Sequence, residues 1–263
     1  MTSIPRRLPR IATVVVAVVL GVAVLSALTI IVLTPRHQEP VPTSSPAEPP
    51  GPDYALPPEP PPVAAEPIRG GVAGYADDGW VRRVSLASGI PERALAAYAG
   101  AAIAKASAMP SCGLGWSTLA GIGFVESDHG RHGGSTVGED GTVSPPIFGI
   151  ALDGSASSHI PDSDGGEIDG DAEFDRAVGP MQLIPQTWRN WHVDGSGDGV
   201  EDPQNIDDAV VATSNYLCRA SGDMVDRAGW RAGVLAYNGS DEYAQAVANA
   251  ANRYAKAAAG FGG

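Results

Sequence analysis

The stretch Cys112-Gly113-Leu114-Gly115-Trp116-Ser117-Thr118-Leu119-Ala120-Gly121-Ile122-Gly123-Phe124-Val125-Glu126-Ser127-Asp128-His129-Gly130 decides the reading of the fold. Trp116 to Val125 carries no charge, and Glu126 follows Ile122 by four residues and Leu119 by seven. On a helix these positions share one face, so Glu126 continues an apolar stripe at the helix C-terminus. Withdrawal from water and the negative end of the helix dipole both disfavour its ionised form. A carboxyl raised in this way suits a general acid near neutral pH. The plain alternative is a solvated glutamate at a helix end.

Apolar residues recur at helical spacing on both sides of this stretch. Pro91 opens a run in which Leu95, Tyr98, Ala102 and Ile103 repeat at threes and fours. Ala209 to Leu217, Val225 to Tyr237 and the Ala-rich Tyr243 to Lys256 behave alike, and strand signals are few. The expectation is a mainly helical domain over 68–263, large enough to bury its own core. Between Gly133 and Arg176 the pattern gives way to Gly, Ser, Pro and Asp, which predicts an irregular excursion or a small hairpin.

The charge of the 263 residues is −13, and the segment from Asp162 to Asp208 holds 13 acids against Arg176 and Arg189. So acidic a chain is a poor nucleic-acid binder. Within the segment, Asp194, Ser196, Asp198 and Asp202 stand at positions 1, 3, 5 and 9 of an EF-hand-like frame. Gly199 is at position 6, and the carbonyl of Val200 is at position 7. That alternation suits Ca²⁺. Asn205 replaces the bidentate Glu of position 12, which leaves Asp207 or Asp208 to complete the shell; the alternative is a Gly-rich acidic turn solvated by water. The second acidic cluster, Asp162 to Asp171, lacks the frame and reads as loop surface.

Ile11 to Leu33 is 23 residues without a charge, long enough to cross a hydrocarbon core of about 30 Å. Arg6, Arg7 and Arg10 precede it, so the positive-inside bias predicts residues 1–10 in the cytoplasm, a transmembrane helix over 11–34, and the rest outside. The alternative, a cleaved signal peptide, has an apolar core of about 7 to 15 residues. From Pro35 to Pro67, 13 of 33 residues are Pro, which predicts an extended, disordered stalk. Cys112 and Cys218 are the only cysteines, and outside a membrane such a pair is expected oxidised. A redox or metal pair would need a CxxC or a nearby His spacing that the sequence lacks.

Cys112-Gly-Leu-Gly-Trp116, Ala120-Gly-Ile-Gly-Phe-Val-Glu126-Ser127 and His129-Gly130 together resemble the catalytic helix of the membrane-bound lytic transglycosylase B family, in its actinobacterial form. Asp175-Arg-Ala-Val-Gly179-Pro180-Met181-Gln182-Leu183-Ile184-Pro185-Gln186-Thr187-Trp188 is similar to the family's second motif. Ala236-Tyr237-Asn238-Gly-Ser240-Asp-Glu-Tyr243 is similar to its third, and the Asp/Gly loop to the calcium site of some members. Leu183 departs from the pattern at a place usually aromatic.

The resemblance implies a lysozyme-like α+β domain that cleaves the β-1,4 bond between N-acetylmuramic acid and N-acetylglucosamine in peptidoglycan glycan strands without water, leaving a 1,6-anhydromuramoyl end. Glu126 would be the single acid/base. Ser127, Met181 and Gln182 would face substrate, and Tyr237 with Asn238 would position Glu126 or the acetamido group. Each has a simpler reading: Gln182 as a helix cap, Tyr237 as core, Asn238 as a left-handed helix end. Two other functions stay open: a hydrolytic muramidase, in which Asp175 is the second carboxylate, and a wall-binding module without catalysis.

Overall fold

The computed structural model describes residues 52–155 and 157–261. The expected tail, transmembrane segment and first half of the stalk lie outside the described residues. No helix among the described residues is long and apolar enough to cross a membrane.

Seven α-helices form the frame of the described chain: α1 Asp78–Ser88, α2 Glu92–Ala108, α3 Trp116–Ser127, α4 Pro185–Trp191, α5 Ile206–Ser221, α6 Arg227–Tyr237 and α7 Asp241–Ala258. The expected helices are present, and α1 and α4 are additional. Short polar side chains start four of them. Asp77 accepts from Trp80 N, Asn205 from Asp207 N, Asp226 from Gly229 N and Ser240 from Tyr243 N, each satisfying an amide that the first turn leaves unpaired.

Helix α2 is central, with Ala94 to Ala102 buried on all sides against α1, α3 and α5. Its alanines let neighbouring backbones come close. Helix α3 is buried over Trp116 to Gly123 and packs chiefly along α7. Trp80 and Trp116 meet edge to face at 5.4 Å in the same core. Arg93 forks onto Asp207, its Nη1 donating at 2.9 Å and Nη2 at 2.5 Å, and so clamps α2 to α5. The Cys112–Cys218 disulfide, with Cα atoms 5.4 Å apart, ties the loop before α3 to α5.

The excursion is a loose β arm. β1 (Thr136–Val137) pairs antiparallel with β2 (Val143–Ser144), and β3 (Phe148–Ala151) with β4 (Arg176–Val178), Phe148 facing Val178. Bridges Asp153–His159 and Pro161–Phe174 carry the second pairing outward.

One boundary differs from expectation. Residues 52–67, read as stalk, lie on the domain. Ala55 is buried in the core, Tyr54 packs against it, Asp77 N donates to Pro62 O at 2.8 Å, and Val63 bridges Ala76. Proline density alone suggested an extended solvated chain; proline also suits a strap, because its extended backbone needs few partners of its own.

Candidate active site

Helix α3 holds Gly121 and Gly123, each costing about 1 kcal/mol of helix propensity against alanine. The cost is offset by contact. A Cβ on Gly121 would sit 2.8 Å from Val247 O of α7, and one on Gly123 would sit 2.1 Å from the Tyr98 hydroxyl of α2. The glycines let α3 settle deep between these helices, which sets the position of Glu126 near its end.

Glu126 is half-buried, and Tyr243 Oη donates to its Oε1 at 2.5 Å. Burial pushes the Glu126 carboxyl up to about 7, against the opposing pull of the Tyr243 hydrogen bond. No other carboxylate contributes to this shift. Tyr243 occupies the first turn of α7, where Ser240 caps its amide at 3.0 Å. Burial and the Glu126 charge raise its phenol well above the usual tyrosine range.

Beyond Glu126 the chain turns sharply: Asp128 (φ 51°) and His129 (φ 61°) are both left-handed, a costly conformation for residues with side chains. Ser127 stabilises the turn. Its hydroxyl donates to Pro180 O at 2.6 Å and accepts from Gly130 N at 2.8 Å. His129 is buried, with Nδ1 3.2 Å from Tyr98 Oη and Nε2 2.9 Å from Tyr254 Oη. Burial, helped by Arg131, lowers its pKa to about 3, so the ring is neutral at ordinary pH.

The turn Gly179–Leu183 joins the three motifs. Pro180 O receives Ser127, and Met181 O receives the Tyr237 hydroxyl at 2.5 Å. Gln182 Nε2 donates to Gly179 O at 2.9 Å, and Val178 N and Leu183 N exchange bonds with each other's carbonyls. Gln182 has φ 50°, again left-handed, and its Oε1 lies against Gly149 of β3, where a Cβ would be 3.1 Å away. Motifs far apart in sequence thus meet through backbone carbonyls beside Glu126.

Several expected roles change. Ser127 and Met181, expected to face substrate, are buried, the first bonded to protein on both sides and the second in the core, so neither side chain is open to solvent. Tyr237, expected to position Glu126 or the acetamido group, is bonded to Met181 O and lies 3.3 Å from Thr213 Oγ1. It is still near enough that the Glu126 charge, after burial, raises its phenol. The direct partner is Tyr243. Tyr243 ends the third motif, but the sequence reading assigned the role to Tyr237, six residues earlier. Asn238 is exposed and extended (φ −143°), not a left-handed helix end. Gln182 caps no helix. Asp175 is fully buried and accepts from Ser163 N at 2.8 Å and Ser163 Oγ at 2.9 Å, so it is engaged within the arm.

The loop read as a calcium site is held by its own backbone. Asp194 accepts from Ser196 Oγ and from the amides of Gly197, Asp198 and Gly199; Asp198 accepts from Val200 N and Asp202 from Gln204 N. The backbone bonds, that of Gly199 foremost, hold the Asp194 carboxyl below its ordinary range. Asp207 is committed to Arg93, and Asp208 to the amides of Gly195, Ser196 and Asp202, so neither replaces the missing glutamate. These donors do not fit a cation shell as they stand. The acids that do converge among the described residues are Asp162 and Asp164, from the cluster read as loop surface, and Asp175, with one oxygen each within 4.8 Å of the others. A cavity of about 670 Å³ lies elsewhere, between Arg69, Arg93, Glu139, Asp198 and Asp207; Glu126 is not in its wall.

Residues 174–233 match the family model described as transglycosylase SLT domain. The match covers β4, the Gly179–Leu183 turn with Gln182, α4, α5 and part of α6; Glu126, Tyr237 and Tyr243 lie outside it. It supports a lytic transglycosylase or lysozyme-like domain, and the mainly helical fold agrees. No curated protein and no solved structure matches the chain.

Proposed function

We propose that the domain is a peptidoglycan lytic transglycosylase in which Glu126 is the single acid/base. The observation that carries this reading is a half-buried carboxyl raised to about 7 whose one side-chain hydrogen bond comes from a phenol. A glycosidase of the usual kind places two carboxylates across the bond it cuts. Here Asp175, the candidate for the second, is occupied by Ser163.

Glu126, protonated near neutral pH, gives its proton to the glycosidic oxygen as the bond from the muramoyl anomeric carbon to that oxygen breaks. The resulting carboxylate, stabilised by Tyr243, takes the proton of the muramoyl 6-hydroxyl as that oxygen bonds to the anomeric carbon. The proton count closes without water, and Glu126 returns to its acid form. Gln182, held in its left-handed conformation, supplies an amide beside the reacting sugar.

We further propose that the domain works outside the membrane, anchored by residues 11–34. The uncharged run with its preceding arginines and the disulfide, which belongs to an oxidising compartment, support this. The test is mass spectrometry of products from purified peptidoglycan treated with the full-length chain and with Glu126→Gln. Anhydro ends made by the wild type alone are expected; reducing ends would replace this reading with a muramidase, and no products would leave a binding module.

A further inference from the structure

The Pro-rich segment before the domain holds both helices that carry the Glu126–Tyr243 pair. The Asp53 carboxylate accepts from Arg227 Nε at 2.8 Å and faces Arg231 at 3.4 Å, both on α6. Arg231 also donates to Asp241, the first residue of α7, so one guanidinium joins the segment, α6 and α7. Farther along α7, Asn252 grips the backbone on either side of Ala55. Its Nδ2 donates to Tyr54 O at 2.9 Å and its Oδ1 accepts from Leu56 N at 2.8 Å. Gln245 Nε2 donates to Pro52 O at 3.3 Å. Glu59 O accepts from Trp116 Nε1, also at 3.3 Å, at the start of α3.

Tyr243 lies two residues after Asp241, just past the short Asn238–Ser240 connection between α6 and α7. The strength of its bond to Glu126 depends steeply on distance and angle. A link across that connection and a second grip lower on the same helix together restrict where the hydroxyl falls. We infer that Asp53 to Glu59 is a positioning element for the Glu126–Tyr243 pair, holding α7 through Arg231 of α6 and Asn252 of α7 itself. Its catalytic meaning rests on the proposed function; its geometry does not.

The test is a carboxyl-carbon NMR titration of Glu126 in the full-length chain, for the wild type, Asp53→Asn, Asn252→Ala, their double variant and Tyr243→Phe. The Tyr243 bond lowers the Glu126 pKa, so loosening it raises that value. The segment variants are expected to move Glu126 upward by part of the shift that Tyr243→Phe gives, and to add nothing in the Tyr243→Phe background. Faster amide exchange at Leu56 and Asp77 reports release of the segment. Release with an unchanged Glu126 titration overturns the inference and leaves a merely structural strap. A shift that persists without the Tyr243 hydroxyl overturns it too, as does failure of the double variant to free the segment. The product assay reads separately: a chain that titrates as expected yet cleaves no peptidoglycan keeps the positioning element and loses the proposed function.

Discussion

Replacing Glu126 by Gln removes a buried ionisation while keeping the side chain's shape, so its effect on stability depends on pH. Burial carries the carboxyl from 4.5 to about 7. Between those values the folded protein keeps a proton that the unfolded chain has released, so folding stability falls as pH rises through that window. Below pH 4.5 both states are protonated and nothing is lost; above about 7 the full cost applies. At about 1.36 kcal/mol for each pKa unit, the cost approaches about 3 kcal/mol. Glutamine escapes it and can still accept the Tyr243 hydrogen bond. Urea unfolding of both proteins at several pH values from about 4 to about 8 gives the difference directly, since the other carboxyls titrate alike in each and cancel. The difference is expected to grow by about 3 kcal/mol in favour of the variant across the window, worth about 2–4 °C of Tm for each kcal/mol in a domain of this size. A difference that stays flat with pH would refute the reasoning: Glu126 would then ionise like a surface glutamate, and its role as acid would go with it.

Tyr243→Phe removes a hydrogen bond to a charged group, worth about 1.5–3 kcal/mol, so the alkaline limb of kcat/KM, set by loss of the Glu126 proton, should move up by about 1–2 pH units; a limb that stays near 7 would remove Tyr243 from the site. Gly123→Ala drives a methyl against Tyr98, and a thermal melt should register an overpacking loss of about 1–3 kcal/mol; an unchanged melt would mean that α2 and α3 are not so close. Replacing Cys112 and Cys218 by Ser should cost about 2–5 kcal/mol in denaturant, and a negligible loss would show that the loop before α3 does not need its tie to α5. Asp175→Asn should destabilise the arm without ending product formation; a folded but inactive variant would return Asp175 to the chemistry as a second carboxylate.

The helical character and the placing of Glu126 were legible because both follow from spacing on one helix. Leu119 and Ile122 are fully buried as the stripe requires, and Glu126 follows them to a half-buried end. Helix α1 escaped notice because Arg82, Arg83, Ser85 and Ser88 dilute its apolar residues, and α4 because seven residues are too few for a period to show. Contacts between motifs were not legible. That Ser127 closes onto Pro180 and Tyr237 onto Met181 depends on backbone carbonyls, which every residue carries and no side-chain pattern marks.

The acidic segment shows that a ligand-like spacing has a second use. Aspartates two residues apart are what an EF-hand loop needs, and they are equally what a chain needs to fold without a core, since each carboxylate can accept an amide two to four residues on. Asp153, Asp162, Asp164, Asp169, Asp171, Asp194, Asp198 and Asp202 all do so. A β arm of two- to four-residue strands has little apolar surface to bury, and the bonds from Asp153 to Asp171 supply there the order that packing supplies elsewhere. In the arm the backbone bonds favour the charged carboxylate and lower the pKa of Asp153, Asp162 and Asp171. The stability they add is present above the ordinary aspartate range and is lost as pH falls through their depressed values, the reverse of the dependence at Glu126. Acid therefore loosens the arm in the same direction of pH change that relieves the buried carboxyl, and the arm and Glu126 answer protons with opposite sign.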